Sequence, residues 1–252
     1  MRVPEFTLQE ILDIHNNLVV FAATKKDSTQ RFVVKGSRTV LGHSVPLCHE
    51  KSLLSGPLLN CSGVVQLVHS WLADRWTLLV ETPLGTTLAN ICAQQQPSAT
   101  LLHTWALQAV NTLKSVHSRG VIHRDIKPSN IIEADGRIYF IDFGYSVDTL
   151  KDKPERVWVG TVEWAALGAV EECKAPSFDQ GVESLCYTFW SLEIGLAKYL
   201  AVEQRPTVEA LRKTSPIVAF VMAWWTSSFS PPCTEGFWVH KNFCGEKENK
   251  ME

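Results

Sequence analysis

The feature that most limits what this chain can be lies between residues 123 and 144. His123-Arg124-Asp125-Ile126-Lys127-Pro128-Ser129-Asn130 places an acid, a cation and an amide a few positions apart, and Asp142-Phe143-Gly144 follows twelve residues beyond Asn130. Two short apolar runs, 130–132 and 137–141, fill the interval. Asp135-Gly136 between them is a hairpin turn signal, so the chain should reverse and return Asp142 beside Asn130. Phosphoryl transfer asks little covalent chemistry of a protein. It needs charge neutralisation on the phosphate and groups that aim the nucleophile. Asp125 can accept or orient an attacking hydroxyl proton, and Lys127 can place a cation beside the transferred group. Asn130 and Asp142 are hard oxygen ligands of the kind Mg²⁺ takes. A single loop acid usually caps a turn, but eight matched positions at this spacing describe a site.

The rest of the 252-residue chain has room for such a site. The length suits one large or two-lobed domain. The composition is 45% hydrophobic and 20% charged, ordinary for a globular protein, and a net charge of −2 provides no basic field for nucleic acid or an anionic membrane. Residues 18–23, 31–35, 64–68 and 76–81 read as strands, and 43–54 as a weak helix stopped by Ser55-Gly56-Pro57. From 98 to 118 the pattern is helical. Leu102, Trp105, Ala109, Leu113 and Val116 make one apolar face, with Ser98 as N-cap and Gly120 as the stop. A second helix is expected over 182–195. A β-rich part should therefore give way to a helical part near 82–87, and a cleft between them is a natural ligand site.

The 123–144 segment resembles the catalytic and metal-binding loops of eukaryotic protein kinases, and Lys127 is similar to the serine/threonine branch. Aminoglycoside-phosphotransferase relatives usually lack this lysine. The resemblance implies an α+β, two-lobed fold with a small β-rich lobe at about 8–82 and a helical lobe at about 86–245; the charged tail at 246–252 reads as disordered. It implies ATP and Mg²⁺ as cofactors and a protein substrate. Asp125 and Lys127 would be catalytic, and Asn130 and Asp142 metal-binding. Arg31-Phe32-Val33-Val34-Lys35 resembles the strand whose lysine holds the α- and β-phosphates, with Glu50 as its partner. The stretch 79–85, with Glu81 and Pro83, resembles the hinge that holds adenine. Residues 182–185 are similar to the casein-kinase branch. The phrasing at 81–85 and 160–165 also looks like crinkler-type effector kinase domains, which would make a host-cell protein the partner.

Three departures from the family pattern stand out. Asp13, His15 and Leu18 occupy positions where the phosphate loop normally carries glycines, which let backbone close over phosphates. His15 could replace part of that contact by donating to phosphate. Pro83 falls where the hinge donates an N–H to adenine, a bond worth about 0.5–1.5 kcal/mol. Ala166-Leu167-Gly168 stands for Ala-Pro-Glu, which removes the glutamate that pairs with a late arginine, and Gly181 replaces an aspartate that ties a helix to the catalytic loop. Three function readings remain open on these residues. The catalytic set favours a serine/threonine kinase, whereas the lost glycines and Gly181 favour a pseudokinase, a folded binding module with weak or no nucleotide binding. Small-molecule phosphotransfer is a third. Ser146 and Thr149 are candidate phosphorylation sites beside Arg124. The first ten residues show no signal-peptide pattern, and the seven cysteines form no C-x-x-C pair. Reduced thiols, no zinc site and an intracellular location are expected.

Overall fold

β-Branched and apolar residues at alternating positions give the first third of the chain its strands. The computed structural model describes residues 3, 5–15, 18–38, 45–73, 76–152, 159–201 and 204–227. Within them β1 (Phe6–His15), β2 (Leu18–Lys25), β3 (Arg31–Arg38), β4 (Gln66–Ala73) and β5 (Trp76–Thr82) form one antiparallel sheet in the order β1-β2-β3-β5-β4. Helix α1 (Val45–Leu54) connects β3 to β4. One sheet face packs Phe6, Phe32, Val34, Leu78 and Val80 into a small core of its own. Side chains alternate along a strand, and Lys35 pairs with Leu79 while Val33 pairs with Glu81. Lys35 and Glu81 therefore emerge together on the opposite face.

The expected 64–68 strand divides in two. Val64 bridges to Phe140, and Val65 N–H donates to Phe140 O at 3.3 Å, whereas β4 proper begins at Gln66 and pairs with β5. This short run thus joins the sheet to the second lobe, a partnership that apolar patterning could not indicate.

The second lobe contains β6 (Thr86–Thr87), α2 (Leu88–Gln94), α3 (Ala99–His117), β7 (Val121–Ile122), a 3-10 turn at Pro128–Asn130, β8 (Ile131–Ala134), β9 (Arg137–Phe140) and β10 (Val147–Asp148). Helices α4 (Leu167–Glu171), α5 (Phe178–Ile194), α6 (Leu196–Leu200), α7 (Val208–Thr214) and α8 (Pro216–Thr226) follow. Ser98 caps α3 by accepting from Leu101 N–H at 3.2 Å, and the expected apolar face is buried. Helix α5 begins four residues before the expected 182. Ser177 and Gln180 form a reciprocal capping box there, which satisfies two otherwise unpaired helix-end N–H groups. Leu185, Tyr187, Phe189 and Leu192 of α5 are fully buried, and α8 packs on both α3 and α5. This is the two-lobed α+β protein-kinase fold. The Pro/Ser/Gly-rich stretch after 227 and the expected tail at 246–252 lie outside the described residues.

Candidate active site

The inner face of the sheet places one cation among several acids. Lys35 Nζ lies 2.7 Å from Glu50 Oε1 and 3.1 Å from Glu81 Oε2. All three residues are buried, with exposures of 6%, 2% and 1%. Burial alone would lower the lysine pKa, but the carboxylates of Glu50, then Glu81 and Asp142, outweigh it and raise it. One cation cannot compensate three carboxylates. Burial therefore pushes Glu50 up to about 8 and raises Glu81 as well, against the pull of Lys35. Glu50 Oε1 also accepts from Phe143 N–H at 3.0 Å. A single carboxylate oxygen thus joins β3, α1 and the loop after β9. The Glu50 assignment needed both the helix and its placement, because the sequence between 43 and 54 is only weakly helical.

The catalytic-loop residues converge as their spacing implied. Asp135 and Gly136 both take positive φ, 51° and 76°, as the two-residue turn between β8 and β9 requires. That hairpin returns Asp142 to the cleft that Asn130 also lines. Asp142 itself is left-handed at φ 66°, and the following Phe143 is fully buried against the His123 ring at 4.6 Å. His123 Nε2 donates to Ile141 O at 3.0 Å, and Asp125 N–H donates to His123 Nδ1 at 3.3 Å. These bonds fix the tautomer and brace the backbone of Asp125. Asn130 Nδ2 donates to Asp125 O at 2.8 Å and to Oδ2 at 2.9 Å, while Lys127 Nζ lies 2.8 Å from the same Oδ2 and 2.6 Å from Thr161 Oγ1. The Asn130 amide nitrogen is committed to Asp125, so its carbonyl oxygen is the end it can offer a cation.

These groups border a cleft of about 620 Å³. Leu18, Val20 and Val33 form one apolar wall and Ile132 and Ile141 the other, with Pro83, Leu84 and Gly85 at the edge. Apolar walls beside the charged and amide groups of Lys35, Asn130 and Asp142 suit an apolar ring that carries a charged chain. Among the described residues no cluster of three or more His, Cys, Asp or Glu encloses a metal. Mg²⁺ needs no such cage, since it keeps waters and phosphate oxygens beside one or two protein oxygens. Asn130 and Asp142 fit that pattern. Asp13 is exposed at the cleft mouth, and His15 closes the β1–β2 ladder opposite Leu18. The His15 side chain lies outside the described residues.

The protein kinase domain model matches residues 16–226. The chain belongs to this family. Among curated relatives, it is 30% identical over 158 residues to serine/threonine-protein kinase PAK 5 of Rattus norvegicus, covering 60% of this chain and 21% of that protein. It is 27% identical over 179 residues to serine/threonine-protein kinase PKH3 of Eremothecium gossypii, covering 64% and 24%. To serine/threonine-protein kinase PAK 4 of Homo sapiens it is 33% identical over 107 residues, covering 41% and 18%. The matched stretch spans less than a quarter of each relative's length.

Within this kinase domain the departures have local substitutes. In place of a glutamate–arginine pair, Arg205 Nη1 donates to the carbonyls of Ala165 at 2.7 Å and Glu163 at 3.0 Å, with its guanidinium 4.7 Å from the Tyr187 ring. Glu183 Oε1 accepts from Leu167 N–H at 2.9 Å. Gly181 is closely packed as well as a loss, because a Cβ there would lie 3.0 Å from His117 Nε2 and that ring would have to shift to admit it. His117 is fully buried and its ring packs on Phe178 and Trp225. Thr188 Oγ1 links α5 to the catalytic loop at Ile126 O, 3.3 Å away. Ser146 does not present itself for phosphorylation: it is buried, and its hydroxyl donates to His123 O. Sequence reading placed Glu81 in the hinge but did not give its ion pair with Lys35. The one available signal was an acid in the otherwise apolar run 78–81.

Proposed function

We propose that this kinase domain transfers the terminal phosphoryl group of ATP to serine or threonine hydroxyls of an intracellular protein substrate, with Mg²⁺. The observation that carries the reading is the double engagement of Glu50 Oε1 by Lys35 Nζ and Phe143 N–H. The strand lysine, its helix glutamate and the Asp142 loop must be in register for phosphoryl transfer, and that atom couples all three. When bound, Mg-ATP would supply the phosphoryl group; Lys35 would hold its phosphates, and Asn130 and Asp142 would hold the Mg²⁺ that neutralises their charge. Asp125 accepts the proton of the substrate hydroxyl. Asn130 and Lys127 hold Asp125 Oδ2 in place, and Lys127 Nζ compensates charge on the transferred group. Thr161 limits where that ammonium can go. The lysine two residues after Asp125 and the serine/threonine kinases among the relatives support the choice of acceptor.

A binding-module reading draws on Lys35, whose ammonium is engaged by two carboxylates, and on the missing glycines at the β1–β2 tip. Phosphate incorporation from labelled ATP into the chain and into generic protein substrates separates the two. Wild type should exceed Asp125→Asn by about a hundredfold or more. Equal incorporation in both, in Mg²⁺ and in Mn²⁺, would favour the module.

A further inference from the structure

We infer that Glu81 selects the nucleotide base, its carboxylate oxygen Oε1 accepting an N–H from the 6-amino group of adenine and disfavouring 6-oxopurines. The inference rests on the ATP reading above. Glu81 lines the cleft and is 1% exposed. Its Oε2 is held 3.1 Å from Lys35 Nζ, whereas its Oε1 has no hydrogen-bond partner among the described residues. A buried carboxylate oxygen left unpaired is costly, and a ligand that supplies a donor removes the cost.

Charge decides which part of a nucleotide can do so. Glu50 and Glu81 both pair with one ammonium and Asp142 lines the same cleft, so a phosphate brought against Oε1 would meet net negative charge. An uncharged ring edge bearing N–H groups meets an acceptor. Leu18, Val20 and Val33 on one wall and Ile132 and Ile141 on the other leave an apolar slot, and the Glu81 carboxylate lines the same cleft. Pro83 follows two residues on and has no N–H, so this edge of the slot has one main-chain donor fewer. Adenine presents a donor at position 6, where hypoxanthine and guanine present an acceptor. Two opposed acceptors would leave both the ligand oxygen and Oε1 unsatisfied.

The test is binding, measured by calorimetry in Mg²⁺ with ATP, purine riboside 5′-triphosphate and inosine 5′-triphosphate. The three share one phosphate chain, so any change at Lys35 cancels in their ratios. Wild type should bind ATP most tightly, the compound lacking a 6-substituent next and the 6-oxo compound least, with ATP about tenfold or more ahead of the last. In Glu81→Gln the amide can turn its N–H toward a 6-oxo group. The ratio of ATP to inosine triphosphate affinity should then fall to about threefold or less. Wild type that binds the 6-oxo compound as tightly as ATP would overturn the inference without touching the ATP reading. An unchanged ratio in Glu81→Gln would do the same and assign base choice to the main chain. Wild type that binds none of the three would remove both readings.

Discussion

Replacing Lys35 with methionine tests the buried charge cluster directly. The substitution nearly conserves length and leaves Glu50 and Glu81, each almost fully buried, with no cation within an ion-pair distance shown for either. Where the carboxylates are charged, removing one partner of a buried ion pair costs about 3–5 kcal/mol, because the charge left behind is not compensated. For a domain of this size that corresponds to a fall in Tm of about 6–20 °C. The loss should depend on pH, with a definite sign. Burial pushes Glu50 up to about 8, above its ordinary 4.5, by disfavouring its charged form. Glu81 is raised for the same reason. A carboxyl whose folded pKa is raised favours folding while protonated and loses that advantage as pH rises through the folded value. Without Lys35 both values rise further. The deficit of the variant should therefore be smallest near pH 5, widen as pH passes 8 and be largest above it. Melting curves of wild type and Lys35→Met from pH 5 to 9 measure this, and adding Glu50→Gln and Glu81→Gln should restore most of the lost stability. A deficit that is constant across pH, or no deficit at all, would refute the account of one cation serving buried carboxylates.

Two further outcomes follow from the site. Asp142→Asn should abolish the Mg²⁺-dependent part of thermal stabilisation by ATP, since one charged oxygen ligand is lost from a site with few; equal stabilisation with and without Mg²⁺ in both proteins would reject the metal role. Gly181→Asp, which restores the family's usual residue, should lower stability by about 1–3 kcal/mol through collision with His117, read as a lower midpoint in urea; an unchanged or raised midpoint would show that His117 moves aside freely.

The catalytic loop was legible in the sequence because its chemistry is local. Asp125, Lys127 and Asn130 lie within one short loop, and the Asp135-Gly136 turn forces the next strand back beside the first, so Asp142 arrives by covalent geometry and turn stereochemistry. The long helix α3 was equally plain, since a single apolar face and a serine cap specify it without reference to other parts of the chain. The weak helix α1 is different. It is held by what lies across from it, Glu50 against Lys35 and Phe143, and His49 Nε2 donating to Ser146 O at 2.7 Å.

What the tertiary structure decided is which residues meet at long separation. Strand alternation places Glu81 on a face, but only the pairing of β3 with β5 sets its carboxylate against Lys35, forty-six residues earlier in the chain. The sequence shows that a glutamate is absent at 168, whereas only packing shows that Arg205 caps the carbonyls of Glu163 and Ala165 instead. The same holds for Gly181, which reads as a lost acid until His117 Nε2 is found 3.0 Å from where its Cβ would stand. Local residue spacing fixes turns, caps and loop chemistry because those forces act within a few residues. Burial, charge sharing and close packing act between segments, and they exist only once the chain has folded.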